Sequence, residues 1–302
     1  MSVDGLCSSM NFNAFLVIVF LAFPIPLASF EIPPLLSAAP DASASRAALL
    51  RTGQGGPAAP LTADAIARRV DERDTGRDSR LAMTMRLFDR QGRARERALT
   101  VLGLRGQGGA GDRVLVRFSY PNDIAGTGFL VWERPGGDDD RFLYLPALGR
   151  VRRITGAERQ ESFVGSDFTY EDIGGRALED YSYALVDGDA SWTDAAGGRH
   201  PAWRLESKAK DANATYPRVV STIRKDNYVV VGAEVFNRRD ERAKTYQVTA
   251  LSQVQGIWTV MASTMANATD RTRTELAVRE ARYNTGLAEK DFSRRELESG
   301  AR

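Results

Sequence analysis

The chain has 302 residues, of which 43% are hydrophobic, and 41 Lys+Arg against 39 Asp+Glu give it a formal net charge of +2. This balance argues against a nucleic-acid-binding protein, and the apolar content is sufficient for a folded core. Because the chain contains one histidine, His200, and one cysteine, Cys7, it cannot alone build a zinc site of paired cysteines and histidines or close a disulfide. A Ser-His-Asp triad would have to use His200.

The N-terminus contains a run of ten apolar residues, AFLVIVFLAF at 14–23, followed by Pro24 and Pro26. A membrane-spanning helix needs about 20 such residues, whereas a run of this length is typical of the core of a signal peptide. We therefore expect residues 1–30 to be a signal peptide, with an uncleaved membrane anchor as the alternative. Residues 1–13 depart from the usual pattern because they contain no Lys or Arg and include Asp4.

Residues 31–60 are rich in Ala, Pro, Ser and Gly, and Gly53, Gly55, Gly56, Pro57 and Pro60 are closely spaced. A segment of this composition buries little apolar surface, so we expect a flexible leader. Residues 61–298 are then expected to form a single domain.

The domain is predicted to begin with a short amphipathic helix over residues 62–74. Thr62 can accept a hydrogen bond as the N-cap, and Asp64 places negative charge in the first turn. Ala63, Ile66, Ala67 and Val70 share one face at helical spacing, so this helix needs an apolar surface to lie on.

Most of the remaining chain alternates apolar and polar residues with period two, as strands do. The alternating apolar positions include Leu81, Met83, Met85, Leu87, Val114, Val116, Phe118, Tyr181, Tyr183, Trp203, Leu205, Tyr246 and Val248. About ten strands separated by turn residues predict a mainly β fold with few helices and a large curved antiparallel sheet. Because one helix cannot cover such a sheet laid flat, we expect an incomplete barrel with the helix at its mouth.

Three predicted strands are apolar on both faces, at 129–132 (FLVW), 142–145 (FLYL) and 228–231 (YVVV). One interpretation is a core on one face and a helix or loop on the other. Several such strands together also favour a sheet that encloses an apolar cavity. Both interpretations remain open at the level of sequence.

The most distinctive strings of the chain are YLP at 144–146, GRVRRI at 149–154 and SFVGSDFTYED at 162–172. They closely resemble the outer-membrane lipoprotein-sorting protein family, a branch of the LolA/LolB-like superfamily of periplasmic lipoprotein carriers. The similarity extends from about residue 62 to residue 297. The resemblance implies an incomplete antiparallel barrel around a helical plug, a hydrophobic cavity for acyl chains, and a periplasmic location.

From this resemblance we expect a non-enzymatic carrier or chaperone that binds the acyl chains of a lipoprotein or lipid for transfer toward the outer membrane. We expect a monomer with no cofactor, no metal, no catalytic residue and no nucleic-acid partner. The predicted cavity lining is Met83, Met85, Leu99, Val101, Val116, Phe118, Leu130, Trp132, Phe142 and Tyr144. Movement of the helix at 62–74 or of the loop at 121–128 is a hypothesis for release. The alternative function is an accessory subunit of an inner-membrane exporter that acts through its surface.

Arg150, Arg152 and Arg153 place three guanidinium groups within four residues. In a strand the first two share one side and Arg153 takes the other. One interpretation is a solvated edge paired with the acidic residues of the 167–172 string, where Phe168 and Tyr170 would pack inward. A second is a cavity rim that binds an anionic headgroup or the polar portion of a lipoprotein, and a third is contact with a membrane surface or a partner protein.

Overall fold

The computed structural model describes residues 61–175 and 177–299, and a single antiparallel sheet of 13 strands dominates them. The strands are β1 (Asp78–Phe88), β2 (Ala94–Leu104), β3 (Arg113–Tyr120), β4 (Gly128–Trp132), β5 (Asp140–Leu145), β6 (Arg150–Ile154), β7 (Tyr181–Thr193), β8 (Arg199–Ala209), β9 (Arg218–Arg224), β10 (Val230–Phe236), β11 (Arg242–Val254), β12 (Ile257–Asn267) and β13 (Thr272–Tyr283). The predicted signal peptide and leader, residues 1–30 and 31–60, lie outside the described residues.

Across the described residues, three α-helices accompany the sheet: α1 (Ala63–Glu72), α2 (Tyr170–Gly174) and α3 (Arg294–Ser299). Short 3-10 turns lie at Pro146–Leu148, Gly156–Gln160, Phe163–Gly165, Leu178–Asp180 and Glu289–Phe292. Within the described residues, no helix combines the length and apolar content that crossing a membrane requires.

The strand order is β6-β5-β4-β3-β2-β1-β13-β12-β11-β10-β9-β8-β7, with every neighbouring pair antiparallel. Consecutive strands therefore pair, except β6 and β7, and the first strand also pairs with the last. The edge strands β6 and β7 are not neighbours in this order, so the sheet stays open. The predicted incomplete barrel is confirmed, with 13 strands where the sequence indicated about ten.

The inner face of the sheet follows from the register, because residues paired across an antiparallel ladder point to the same side. Met83 pairs with Leu99, and Val101 pairs with Val116. On β1 the predicted alternation holds: Leu81, Met83, Met85 and Leu87 are buried, whereas Arg86 is exposed. The main core therefore lies against the inner face.

Helix α1 forms as predicted. The Thr62 hydroxyl accepts a hydrogen bond from the Ala65 N–H at 3.2 Å, which satisfies one free donor of the first turn. Ile66 and Ala67 are fully buried in a cluster with Leu205 and Ile223. The helix thus covers the β8–β9 part of the sheet.

Two further segments cover the opposite part of the sheet, one on each face. Residues 155–175, which include α2, cross the inner face, and we call them the plug segment. Residues 289–299, which include α3, cross the outer face of β3–β5, and we call them the C-terminal strap. Strands β4 and β5 are therefore apolar on both sides because each side is covered, which agrees with the first interpretation given above.

Candidate ligand-binding site

Six of the predicted lining residues lie together on the inner face of β1–β3. They are Met83, Met85, Leu99, Val101, Val116 and Phe118. All of these except Phe118 enclose a small apolar cavity, together with Val114, Phe163, Ile173 and Leu276. The cavity volume is about 20 Å³. Ligand pockets usually measure about 300–1,000 Å³, so in this state the apolar interior is filled by the protein's own side chains.

The other four predicted lining residues lie on the outer face, and the predicted set is therefore not one surface. Leu130, Trp132, Phe142 and Tyr144 belong to a separate cluster under the C-terminal strap. The inner-facing members of the same strands are Phe129, Val131 and Leu143. The sequence misassigned the face because β4 and β5 are apolar on both sides, and a shift of one residue exchanges the two faces of a strand.

The strap is held on this outer cluster by specific contacts. Phe292 and Leu297 are completely buried, and the Trp132 indole N–H donates to the Phe292 carbonyl at 2.6 Å. Gly128 permits the close approach of α3, because a Cβ there would lie 2.6 Å from the Leu297 Cδ1. These contacts leave the four outer residues no access to the inner cavity.

The plug segment packs its aromatic side chains against the inner face. The Phe163 ring lies 5.8 Å from Phe118, 5.4 Å from Phe129 and 5.6 Å from Tyr170 between centroids. Phe168 is also fully buried, and burial raises the pKa of the Tyr170 hydroxyl. The predicted inward packing of Phe168 and Tyr170 is confirmed, and Phe163 and Ile173 are the plug residues that line the cavity.

Polar contacts anchor the middle of the plug to strands β11 and β13. The Asp167 carboxylate accepts hydrogen bonds from Thr272 Oγ1 at 2.5 Å and from Thr274 Oγ1 at 2.7 Å. Lys244 Nζ donates to the Asp167 carbonyl at 2.6 Å and to the Tyr216 hydroxyl at 3.0 Å. Asp167 is therefore an anchoring residue of the plug, and its carboxylate has no contact with the Arg150–Arg153 strand.

A second anchor comes from β2, where the Arg97 guanidinium donates to the Val164 carbonyl. Val164 has a positive φ of 49°, and Gly165 follows it with a φ of 75°. Burial lowers the pKa of Arg97, and the neighbouring positive charge of Arg95 lowers it further. The plug therefore packs against β2, whose inner face is apolar at Leu99 and cationic at Arg97 and Arg95.

A larger groove of about 540 Å³ lies beside the plug, outside the apolar cavity. It is lined by residues of the plug, of the β1–β2 turn and of the adjoining strand ends: Leu87, Phe88, Asp89, Arg90, Arg95, Gln160, Ser162, Gly165, Ser166, Asp167, Phe168, Thr169, Lys244, Asn267, Asp270 and Thr272. Sequence reasoning missed this groove. The alternation along β2, which places Arg95 and Arg97 on the same side as Leu99, was the signal that could have indicated it.

The three predicted rim arginines are on β6, an edge strand. Arg152 forms an ion pair with Glu158 and Arg153 one with Asp140, each at 2.5 Å. One interpretation paired these arginines with the acidic residues of the 167–172 string, and neither ion pair involves that string. Its acidic residues anchor the plug and α2 instead. Arg150 is exposed and has no ion-pair partner among the described residues.

Ser166 and His200 both take part in local hydrogen bonds. The Ser166 hydroxyl donates to the Phe163 carbonyl at 2.7 Å within the plug. His200 Nε2 lies 2.8 Å from Asp194 Oδ2 on the β7–β8 hairpin. In the part of the chain that the structure describes, no group of three His, Cys, Asp or Glu residues could hold a metal ion.

An open antiparallel barrel with an apolar inner face closed by a plug defines a lipoprotein-carrier-like fold. A LolA superfamily protein from Nitrosomonas europaea shares this fold, with a TM-score of 0.59 and 19% identity over 77% of this chain and 98% of its own. A family model described as "Uncharacterized protein" matches residues 110–299. A search of curated proteins gives no match.

Two solved structures are more similar in sequence. An outer membrane lipoprotein-sorting protein domain from Vibrio parahaemolyticus is 32% identical, with a TM-score of 0.71, and the alignment covers 78% of this chain and 98% of that domain. A DUF1329 family protein from Desulfovibrio piger is 29% identical, with the same TM-score, over 78% of this chain and 97% of its own. The chain therefore belongs to the outer-membrane lipoprotein-sorting protein family.

Proposed function

We propose that the protein is a periplasmic, non-enzymatic carrier or chaperone that binds the acyl chains of a lipoprotein or lipid on the inner face of its barrel and transfers them toward the outer membrane. The observation that supports this proposal is that the plug segment, and not a further strand of the sheet, covers the apolar inner face of β1–β3. Each CH₂ group moved from water onto this face contributes about 0.8 kcal/mol. Two or three acyl chains therefore supply a large driving force.

Binding requires the plug to move, because a cavity of about 20 Å³ holds no acyl chain. Withdrawal of Phe163 and Ile173 would open the space between β1, β2 and β3. The hydrogen bonds of Asp167 and of the Val164 carbonyl would then be exchanged for contacts with water or with the ligand. An acyl chain would replace the aromatic side chains of the plug, so apolar surface stays covered in both states.

The remaining parts of the proposal concern regions outside the site. Residues 1–30 would direct export, residues 31–60 would form a leader, and residues 61–298 would act as a monomeric carrier domain. Arg150, exposed on an edge strand, would contact a partner or a headgroup, whereas Arg152 and Arg153 would first have to leave their carboxylates.

The test is native mass spectrometry of the mature protein from its own periplasm, followed by lipid extraction and by titration with a fluorescent palmitate analogue. Leu99→Glu places a charge on the inner face and should abolish binding of the analogue. Thr100→Glu, the next residue on the outer face, is the matched control and should bind normally. Leu99→Ala provides a second variant that keeps the site apolar and should still bind. If no variant and no wild-type sample binds the analogue or carries lipid, the carrier function is wrong.

A second candidate is an accessory subunit of an inner-membrane exporter that acts through its surface. The filled interior favours this candidate, because a protein that never binds acyl chains has no need of a cavity. It predicts that Arg150→Glu impairs export while Leu99→Glu, once folded, does not. The carrier proposal predicts the reverse order of effects in the same export assay.

A further inference from the structure

Strand β2 changes character along its inner face. Successive inner-facing residues are Val101, Leu99, Arg97 and Arg95, since they pair with the inner-facing Leu81, Met83, Met85 and Leu87 of β1. Each step of two residues advances about 6.6 Å along a strand. The apolar cavity at Leu99 is therefore separated from the Arg95 position by about 13 Å of strand.

The groove of about 540 Å³ begins where this strand becomes cationic. Arg95 and Arg90 line it on one side, and residues Gly165 to Phe168 of the plug line the other. The guanidinium of Arg97, which donates to the Val164 carbonyl of the plug, lies between the groove and the apolar cavity. Its Nη2 would lie 3.9 Å from a Cβ at Gly165, a residue of the groove. A ligand in the groove would thus lie directly at the edge of the plug.

The ionisable groups around the groove differ in their contacts. Asp89 pairs with Arg93 at 2.7 Å, the Asp167 carboxylate accepts two threonine hydroxyls, and Asp270 accepts the Asn267 amide at 2.9 Å. Lys244 donates to the plug carbonyl. By contrast, Arg90 and Arg95 are exposed, and the described residues provide neither with an ion-pair partner. Two guanidinium groups are therefore available to an anion.

We propose that this groove binds the anionic headgroup, a phosphate or a carboxylate, of an amphiphile whose acyl chain lies under the plug. The inference rests on the proposed carrier function and names the class of its ligand. Arg90 and Arg95 would form charge-assisted hydrogen bonds to the headgroup, which are stronger than those between neutral groups. A headgroup at this point adjoins Gly165 and the Asp167 carboxylate, and repulsion between the two negative charges would weaken the anchor of the plug and so couple binding to its release.

The test compares three ligands with the same acyl chain, below their critical micelle concentrations, on the mature protein. They are 1-palmitoyl lysophosphatidylglycerol, 1-palmitoyl lysophosphatidylcholine and 1-palmitoylglycerol, titrated by calorimetry beside inorganic phosphate. Wild type should bind 1-palmitoyl lysophosphatidylglycerol, the anionic ligand, at least tenfold more tightly than 1-palmitoylglycerol, the uncharged one. The Arg90→Gln/Arg95→Gln double variant should lose about tenfold in affinity for the anionic ligand only. Arg80→Gln, an exposed arginine on the outer face of β1, is the control and should change nothing.

The outcomes separate this inference from the carrier function. Equal binding of all three palmitoyl ligands, or a double variant that keeps the anionic preference, overturns the headgroup site while leaving the carrier function intact. Inorganic phosphate that binds as tightly as the anionic lipid overturns the assignment to a headgroup. If none of the palmitoyl ligands binds, the carrier function itself fails, and the headgroup site fails with it.

Discussion

Glu133 and Asp112 form a close carboxyl pair at one end of the β3–β4 region. The Asp112 N–H donates to Glu133 Oε2 at 2.7 Å, and the Asp112 carboxylate accepts the Gly106 N–H at 2.8 Å. Gly111 makes this approach possible, because a Cβ there would lie 2.3 Å from the Glu133 carbonyl oxygen. Burial, together with the charge of Asp112, raises the pKa of Glu133 to about 8.

This raised pKa predicts that the protein loses stability as the pH rises. Between the unfolded pKa of Glu133 near 4.5 and the folded value of about 8, the folded state binds more protons than the unfolded state. The contribution of this group to the free energy of unfolding is therefore highest below pH 4.5 and declines up to pH 8. Glu133→Gln should flatten this part of the pH profile, measured by urea unfolding between pH 5 and 8. A variant with the same slope as wild type would show that Glu133 is not the responsible group.

At the scale of elements, the plug and not α1 covers the part of the predicted lining that lies on the inner face. Helix α1 packs against Leu205 and Ile223, away from the cavity, whereas Phe163 and Ile173 of the plug line it directly. We therefore propose that residues 155–175, and not the helix at 62–74, move when the ligand is released. The polar anchors of this segment are the groups whose loss should open the barrel.

Asp167→Asn tests the main anchor of the plug. Both Asp167 oxygens accept threonine hydroxyls, and the amide nitrogen that replaces one oxygen cannot accept a hydrogen bond. We expect a lower melting temperature and stronger fluorescence of an apolar dye such as ANS, since the inner face becomes accessible. Asp189→Asn is the control, because that carboxylate is fully exposed on β7 and its ion-pair partner, Lys225, lies outside the plug. Unchanged dye binding in Asp167→Asn would mean that the plug does not depend on this carboxylate.

The strap offers a separate prediction on the outer face. Trp132→Phe removes the indole N–H that donates to the Phe292 carbonyl while it keeps an aromatic ring against Phe142. The loss of one such hydrogen bond should reduce the free energy of unfolding by about 1 kcal/mol. Urea unfolding followed by far-ultraviolet circular dichroism measures this change. Binding of the palmitate analogue should stay at the wild-type level, and a reduced affinity would place the strap in the binding mechanism.

At the scale of the whole molecule, substitutions on the two faces of the sheet should have similar effects on stability and different effects on ligand binding. Leu99→Ala on the inner face and Leu130→Ala on the outer face each remove a buried side chain, and each should cost about 2–5 kcal/mol of stability. Leu99→Ala enlarges the cavity and keeps it apolar, so this variant should still bind the palmitate analogue but with a changed affinity, whereas Leu130→Ala should bind it as wild type does. Equal effects of both variants on binding would contradict the assignment of the cavity to the inner face.

Much of this architecture could be predicted from local patterns. Thr62 and the apolar spacing of Ile66 and Ala67 were enough for α1, because a helix cap and a helical stripe are properties of neighbouring residues. The alternation of β1 likewise determined which of its residues are buried, since one side of that strand is polar. The strings at 144–172 indicated the family before any geometry was known.

The sequence by itself therefore determined the β-rich fold, the first helix and the family, all of which depend on short-range periodicity and on distinctive strings. Only the tertiary structure decided that Phe129 rather than Leu130 faces inward, because a strand that is apolar on both sides has no polar face to identify the solvent. It also decided that residues 155–175 fill the barrel and that Asp167 meets Thr272 and Thr274, more than 100 positions away. Contacts over such separations depend on the pairing of the first strand, β1, with the last strand, β13, which no local pattern predicts.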